Sequence, residues 1–215
     1  EDLGVFSADP DLNADVAELF NHLTGYSRPR DYRRFLVAPG ELRPALLEHI
    51  AREARPGGRI IMKMNALVDL EMVDALYAAS QAGADIDLIV RGICCLRPGV
   101  PGLSERIRVR SIIGRYLEHS RIYRFGADPL TADCFMGSAD LMPRNLDRRV
   151  EALLSVVEPG LRARIDEVFS VLLTDDTLAW ELTADTTWHP AEPKHCRDAH
   201  HRFEVLAVER VEAAR

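Results

Sequence analysis

The chain has 215 residues, 47% hydrophobic and 28% charged, with a formal net charge of −7. That length buries a substantial core in one large domain or two small ones, and the composition is that of a globular protein. The longest apolar runs fall well short of the roughly 20 residues of a membrane-spanning helix, and the acidic balance argues against a general nucleic-acid binder.

Residues 11–24 read as a helix, with Leu12, Val16, Leu19, Phe20 and Leu23 on one face and Gly25 available to end it. RFLVAP (34–39) has the pattern of a buried strand. ELRPALLEHIAREA (41–54) is a second helix, with Leu42, Leu46, Leu47 and Ile50 inward and Pro44 tolerated in its first turns. RPGG (55–58) is a turn, RIIMKM (59–64) a strand, 70–82 a helix carrying Met72, Val73, Leu76 and Tyr77 on one side, and IDLIVRG (86–92) the next strand. This alternation predicts an α/β fold whose sheet, although mixed, is largely parallel and flanked by helices.

The RPGVPG loop (97–102) interrupts the alternation. IRVRSII (106–113) and RIYRF (121–125) follow as strands, then CFMGS (134–138), RRVEALLSVV (148–157) and a helix over about 159–173, striped by Leu161, Ile165, Val168, Phe169, Leu172 and Leu173. Beyond Asp175 the periodicity decays. From Thr186 the tail shows little apolar periodicity. The four tail histidines (His189, His195, His200, His201) lack zinc-site spacing and read as surface residues. The cysteines (Cys94, Cys95, Cys134, Cys196) include a vicinal pair but no C-x-x-C, and the acidic opening EDLGVFSADP has no signal-peptide pattern. Both point to a reduced, cytoplasmic protein without a structural metal or disulfide framework.

Charge is unevenly placed. From Arg91 to Arg149 there are 11 Arg against 6 Asp or Glu, so that the remainder carries −12. With only two lysines in the chain (Lys63 and Lys194), nearly all positive charge is guanidinium, which grips phosphate oxygens in pairs. An arginine-rich codon bias is the plain alternative. In open α/β sheets ligands collect beyond the carboxyl ends of the strands. Arg91 ends such a strand, and Gly92 permits close backbone approach; an arginine paired with a surface carboxylate is the alternative there. RYLEHSRIYRF (115–125), a strand-like segment, sets His119 among Arg115, Arg121 and Arg124. It reads as a phosphate site or, more simply, as a surface histidine beside Glu118. MPRNLDRRVE (142–151) adds Arg144, Arg148 and Arg149, which either extend a phosphate-lined channel or form a solvated face.

His119 and Arg121 stand in the order H-x-R, with GSAD (137–140) about 20 residues later. Phospholipase D-like enzymes carry H-x-K followed by G-S-x-N, so this pattern resembles theirs with Arg121 for lysine and Asp140 for asparagine. The blocks MKMNALVD, ASQAGADIDLIVRGICCLRPGVPGLSE, RVRSIIGRYLEHSRIYRF and GSADLMPRNLDRRVE strongly resemble the C-terminal, phospholipase D-like part of bacterial polyphosphate kinase, and the opening EDLGVFSADPDLNADVAELFNHLTGYSR resembles the segment entering its last domain. The likeness covers roughly residues 1–183, which it marks as one domain, and leaves 184–215 as an irregular C-terminal tail.

The resemblance implies reversible transfer of the ATP γ-phosphate to polyphosphate through a phosphohistidine, with Mg²⁺. It makes Arg91 a ligand of ATP phosphates. His119 becomes a phosphate ligand and general acid facing the phosphorylated histidine, with Arg121 and Arg144 as further phosphate-binding groups. The family's phosphorylated histidine, its magnesium-binding arginines, its adenine-stacking tyrosine and its N-terminal domains have no counterpart in this sequence. Mg²⁺ ligands are therefore expected outside this chain, and the isolated chain is expected to be inactive. Leu141 replaces the family's tryptophan after S-A-D. The implied partners are ATP, polyphosphate and the missing domains of the same enzyme, within a homo-oligomer that is cytoplasmic or peripheral to the inner membrane. Two other readings are a single-motif phosphodiesterase completed by dimerisation and a non-catalytic polyphosphate-binding module.

Overall fold

The structure, a computed structural model, describes residues 2–26 and 32–213. Ser27 and Arg28, which close the opening stretch of the resemblance, lie outside them. In chain order the elements are α1 (Pro10–Leu23), β1 (Phe35–Ala38), α2 (Leu42–Glu53), β2 (Arg59–Met64), α3 (Leu70–Gln81), β3 (Asp85–Val90), β4 (Ile107–Ile112), β5 (Arg121–Phe125), β6 (Asp133–Gly137), α4 (Pro143–Asp147), β7 (Glu151–Val156), α5 (Pro159–Thr174), β8 (Ala179–Leu182), β9 (Trp188–Pro190) and α6 (Ala199–Ala213). The helix starts of α1, α3 and α5 carry side-chain caps. The Asp9 carboxylate accepts the N–H groups of Asp11 and Leu12, Asp69 that of Met72, and Glu158 that of Leu161.

The strands form one mixed sheet in the order β1-β7-β6-β5-β2-β3-β4-β8-β9. This corrects the expectation of a largely parallel sheet. Only β2–β3 and β3–β4 are parallel, and every other pair is antiparallel. The crossover helix α3 joins β2 to β3, whereas β5, β6 and β7 run back and forth without long crossovers, which antiparallel pairing permits.

Each central strand has two buried faces. Ile60, Met62 and Met64 of β2 pack with Leu46, Ile50, Met72 and Leu76 on the α2–α3 side. Ile61 of β2, with Ile89, Ile112 and Ile122, packs against Ile165, Phe169 and Leu172 of α5. By alternation Lys63 shares the Ile61 face, the side on which α5 and α6 lie. A lysine in that position is 2% exposed and requires a partner.

Two more expectations change. The apolar face of α1 is largely exposed at Val16, Phe20 and Leu23, and the residue that α1 buries is Asp15. Its carboxylate accepts the N–H groups of Arg33, Arg34 and Phe35 at 2.6–3.1 Å and so holds the helix to the start of β1. Residues 184–215 are not an irregular tail, since they contain β9 and α6. Two adjacent carboxylates secure that segment. Asp175, 2% exposed, takes the N–H groups of Thr177, Leu178 and Ala179 on one oxygen and that of Ala199 on the other. Asp176 takes those of Lys194, His195 and Arg197.

The N–H groups of His195, Arg197 and Lys194, with the nearby His195 side chain, outweigh burial and hold the Asp176 carboxyl at about 2, below its ordinary 3.8. A depressed folded-state value means that this contribution is complete above the ordinary value and is lost as pH falls through about 2. Hydrogen-exchange protection of the Lys194, His195 and Arg197 amides should therefore fall between pH 4 and 2, on the order of the whole depression. Asp176→Asn should lower that protection already at neutral pH and flatten its dependence in this window. Unchanged protection in the variant would remove Asp176 from the anchor.

Candidate functional site

The carboxyl ends of β2, β3 and β6 and the start of β5 lie on one edge of the sheet, because β5 runs antiparallel to both β2 and β6. Loops leaving this edge are tied to one another. Leu67 bridges Cys94 and Leu141, the Leu67 N–H donates to Ile93 O, and the Val68 and Asp69 N–H groups donate to Leu141 O. Leu141, standing where the resemblance has a tryptophan, is fully buried in this junction. Gly92 also lies at the junction. Its N–H donates to Asn65 O at 2.9 Å, and a Cβ would stand 3.0 Å from that oxygen. Gly137 of GSAD is required more strictly, because a Cβ would lie 1.9 Å from Ala152 O on the adjacent strand. That contact cannot be relieved by a side-chain movement.

Onto this edge the structure brings Arg91, His119, Arg121 and Asp140. Residues 113–120 form a loop rather than the start of a strand, and His119 sits at its end, two residues before β5. Its side chain is 44% exposed, with Nδ1 3.1 Å from Asp2 Oδ2. Burial works to raise the Asp2 carboxyl, but the His119 hydrogen bond, the Leu3 N–H and the charges of His119 and Arg121 prevail and hold it below the ordinary value. Arg121 Nη1 lies 3.3 Å from His119 Nδ1 and 3.2 Å from Nε2, and donates to His119 O at 3.0 Å.

The two departures from the H-x-K and G-S-x-N pattern meet in space. Arg121 holds Asp140 in a two-pronged pair, Nε to Oδ1 at 3.3 Å and Nη2 to Oδ2 at 3.2 Å, with Asp140 only 6% exposed. The Asn65 N–H completes Asp140 at 2.7 Å. The Arg121 guanidinium is thus largely committed to a carboxylate. Arg91 is different. Among the described residues no carboxylate pairs with it, and its hydrogen bond runs from Nη1 to the carbonyl of Glu118 at 3.1 Å. Arg144, with Arg148 just beyond it, is exposed on the short helix α4 that leaves the same edge.

Glu118, read from the sequence only as a neighbour of His119, is held at both ends. Its carboxylate, 4% exposed, accepts from Lys63 Nζ at 2.9 Å and lies 2.9 Å from His200 Nε2. Its carbonyl takes Arg91, and also the Asn65 amide at 3.2 Å when the Asn65 oxygen faces Arg121 (2.8 Å to Nε, 2.5 Å to Nη2). Lys63 further donates to Ser120 O and Oγ at 3.0 and 2.8 Å. His200 corrects the reading of the tail histidines: it is 3% exposed, while His189, His195 and His201 are exposed. The sequence did carry one signal for this network, a lysine inside the apolar run RIIMKM, and none for its partnership with residue 200.

A cavity of about 360 Å³ opens beside Arg121, lined also by Asp2, Ser120, Gly137 and Ser138. A larger one, about 590 Å³, lies between α5 and α6 around Val171, Cys196 and Arg202, away from these groups. The smaller is the one on the edge that carries Arg121, where Asp2, Ser120 and Ser138 stand among the apolar neighbours Leu3, Phe35 and Met136. Among the described residues no group of three or more His, Cys, Asp or Glu could hold a metal ion, and none of their helices is long and apolar enough to cross a membrane.

A family model for polyphosphate kinase C-terminal domain 2 matches residues 35–202. The polyphosphate kinase of Thermosynechococcus vestitus is 55% identical over 200 residues, covering 90% of this chain and 27% of that protein. That of Mycobacterium avium is 52% identical over 196 residues, covering 89% and 26%. The chain thus spans little more than a quarter of these relatives. The crystal structure of polyphosphate kinase from Porphyromonas gingivalis superposes with a TM-score of 0.90 at 34% identity, over 96% of this chain and 33% of that one. A phospholipase D family member, Nuc from Salmonella typhimurium, has a TM-score of 0.52 at 16% identity, over 70% of this chain and 97% of that one, a likeness of fold alone.

Proposed function

The chain belongs to the polyphosphate kinase family, whose C-terminal domain 2 it carries, and on that premise we propose that it supplies one wall of a phosphotransferase site. The reaction is transfer of the ATP γ-phosphoryl group to the end of a polyphosphate chain. In the first half the bond from the γ-phosphorus to the β–γ bridging oxygen breaks, a bond to a histidine nitrogen of another domain forms, and ADP leaves. In the second half the terminal polyphosphate oxygen attacks that phosphorus, and the nitrogen–phosphorus bond breaks.

The observation that carries this reading is the Arg91 guanidinium, hydrogen-bonded to the carbonyl of Glu118, the residue before His119, and without a carboxylate partner among the described residues. Arg91 offers a fork of donors to phosphate oxygens, and His119 stands across from the transferred group as phosphate ligand and general acid. Arg121, although paired with Asp140, orients the His119 ring, and Arg144 adds longer-range positive potential. Such positioning and charge neutralisation do most of the work in phosphoryl transfer. Mg²⁺, which the family resemblance implies, would be held by groups outside this chain.

The test is calorimetric titration of the chain with tripolyphosphate and with ATP at two salt concentrations, alongside ADP release from ATP and a polyphosphate primer. Binding that weakens as salt rises, reduced by His119→Ala and unaccompanied by sustained chain growth, is expected. Absence of binding, or binding indifferent to His119→Ala, overturns the assignment. His119-dependent hydrolysis of a chromogenic phosphodiester would favour the phosphodiesterase reading instead.

A further inference from the structure

The buried imidazole of His200 lies on α6, in the segment that sequence periodicity left unassigned, yet it reaches the loop that ends in His119. Its Nε2 is 2.9 Å from Glu118 Oε1, and its Nδ1 accepts the Tyr116 N–H at 3.3 Å. An accepting Nδ1 puts the ring proton on Nε2, which then donates to the Glu118 carboxylate. The surroundings are shaped to the ring. The Tyr116 ring lies 5.3 Å away, centroid to centroid, and a Cβ on Gly114 would come within 2.7 Å of His200 Nδ1. The first turn of α6 is anchored independently, through the Ala199 N–H on Asp175 at 2.6 Å and the His201 N–H on Asp198 at 2.9 Å. The imidazole therefore projects from a fixed base.

We propose that His200 is a positioning residue of the phosphate site: through Glu118 it sets the place of both His119 and Arg91. The inference rests on the phosphotransferase reading above for the meaning of those two residues, but the mechanical link stands on the contacts alone. Glu118 is the residue immediately before His119, and its carbonyl accepts Arg91 Nη1. Its carboxylate is clamped between Lys63 on β2 and His200 on α6, that is, between the sheet and the helix layer. Removing the His200 donor leaves that carboxylate with Lys63 alone, free to swing about one contact. The loop 115–120 then loses its tie to α6 through Glu118 and keeps those of Lys63 to Ser120 and Arg121 to His119 O, and displacements of ångström size at phosphate ligands are costly. His200 touches no phosphate in this scheme, so its effect passes wholly through Glu118.

Three substitutions separate positioning from simple space filling. His200→Gln keeps an N–H donor near the place of Nε2, whereas His200→Asn keeps an acceptor near the place of Nδ1 but does not reach Glu118. His200→Ala removes both. The readouts are the ¹H–¹³C resonances of the His119 ring, tripolyphosphate affinity of the chain by calorimetry, and melting temperature. Expected is a shift of the His119 resonances in the Ala and Asn variants, with affinity lower by about tenfold or more, and near-wild-type behaviour in Gln. A role in packing alone would move the melting temperature and leave the resonances and affinity where they were, and that result overturns the proposal. Equal loss in Gln and Ala would also overturn it, because the donor to Glu118 would then be irrelevant. Should the unsubstituted chain not bind tripolyphosphate, the functional reading fails while the link to Glu118 is still decided by the His119 resonances.

Discussion

Lys63→Met is expected to lower the unfolding free energy by about 3–5 kcal/mol, the usual cost of removing one partner from a buried ion pair. Lys63 and Glu118 have side chains 2% and 4% exposed, so the carboxylate left behind cannot be rehydrated without opening the structure. The substitution also deletes the donor to Ser120 O and Oγ, adjacent to His119. Methionine suits the apolar face shared with Ile61, which makes the loss one of charge and hydrogen bonding rather than volume. The double variant Lys63→Met, Glu118→Gln should regain a good part of the loss, since no ion is then left unpaired. Urea unfolding with an unchanged m-value measures both effects. A loss below about 1 kcal/mol in the single variant would mean that Glu118 reaches water.

Arg91→Ala should have the largest effect on ligand binding, weakening tripolyphosphate by about 1.5–3 kcal/mol through loss of charge-assisted hydrogen bonds. The reason lies in the contrast between two arginines of the same edge. Arg121 is paired through two prongs with Asp140, whereas Arg91 spends one donor on a carbonyl and has no carboxylate partner among the described residues. Arg91→Lys should recover only part of the affinity, because a point charge cannot hold two oxygens in the same plane. Competition calorimetry at fixed salt checks both substitutions. Equal losses for Arg91→Ala and Arg144→Ala would reduce the contribution of Arg91 to a diffuse field.

Much of the fold is legible along the chain because its signals are local. The strands at 59–64 and 121–125 have the limits that the apolar pattern predicts, and the helix at 41–54 differs from α2 by one residue at each end. Arg91 follows β3 and His119 precedes β5, and they come to one sheet edge because β5 runs antiparallel to β2. Strand direction was another matter. The β-α-β alternation through residue 92 carried over wrongly to β5, β6 and β7, because direction depends on which strands finally pair and on the loop between them. The end of the chain was missed for a related reason. α6 buries only Ala199, His200 and Leu206, too few apolar positions to make a stripe, and much of its anchoring comes from Asp175 and Asp176 accepting backbone N–H groups, which leaves no periodicity to read.

The sequence by itself therefore determined most of the helices and strands up to α5, the family likeness, and the residue types suited to phosphate. It even held the clue of a lysine in an apolar strand. Only the tertiary structure decided which of these charges remain available. Arg121 lies 19 residues from Asp140, and Glu118 lies 55 residues from Lys63 and 82 from His200. No local pattern encodes such pairings. They follow from burial, which forces each ion removed from water to find an opposite charge or a hydrogen-bond partner wherever the packed chain brings one within reach.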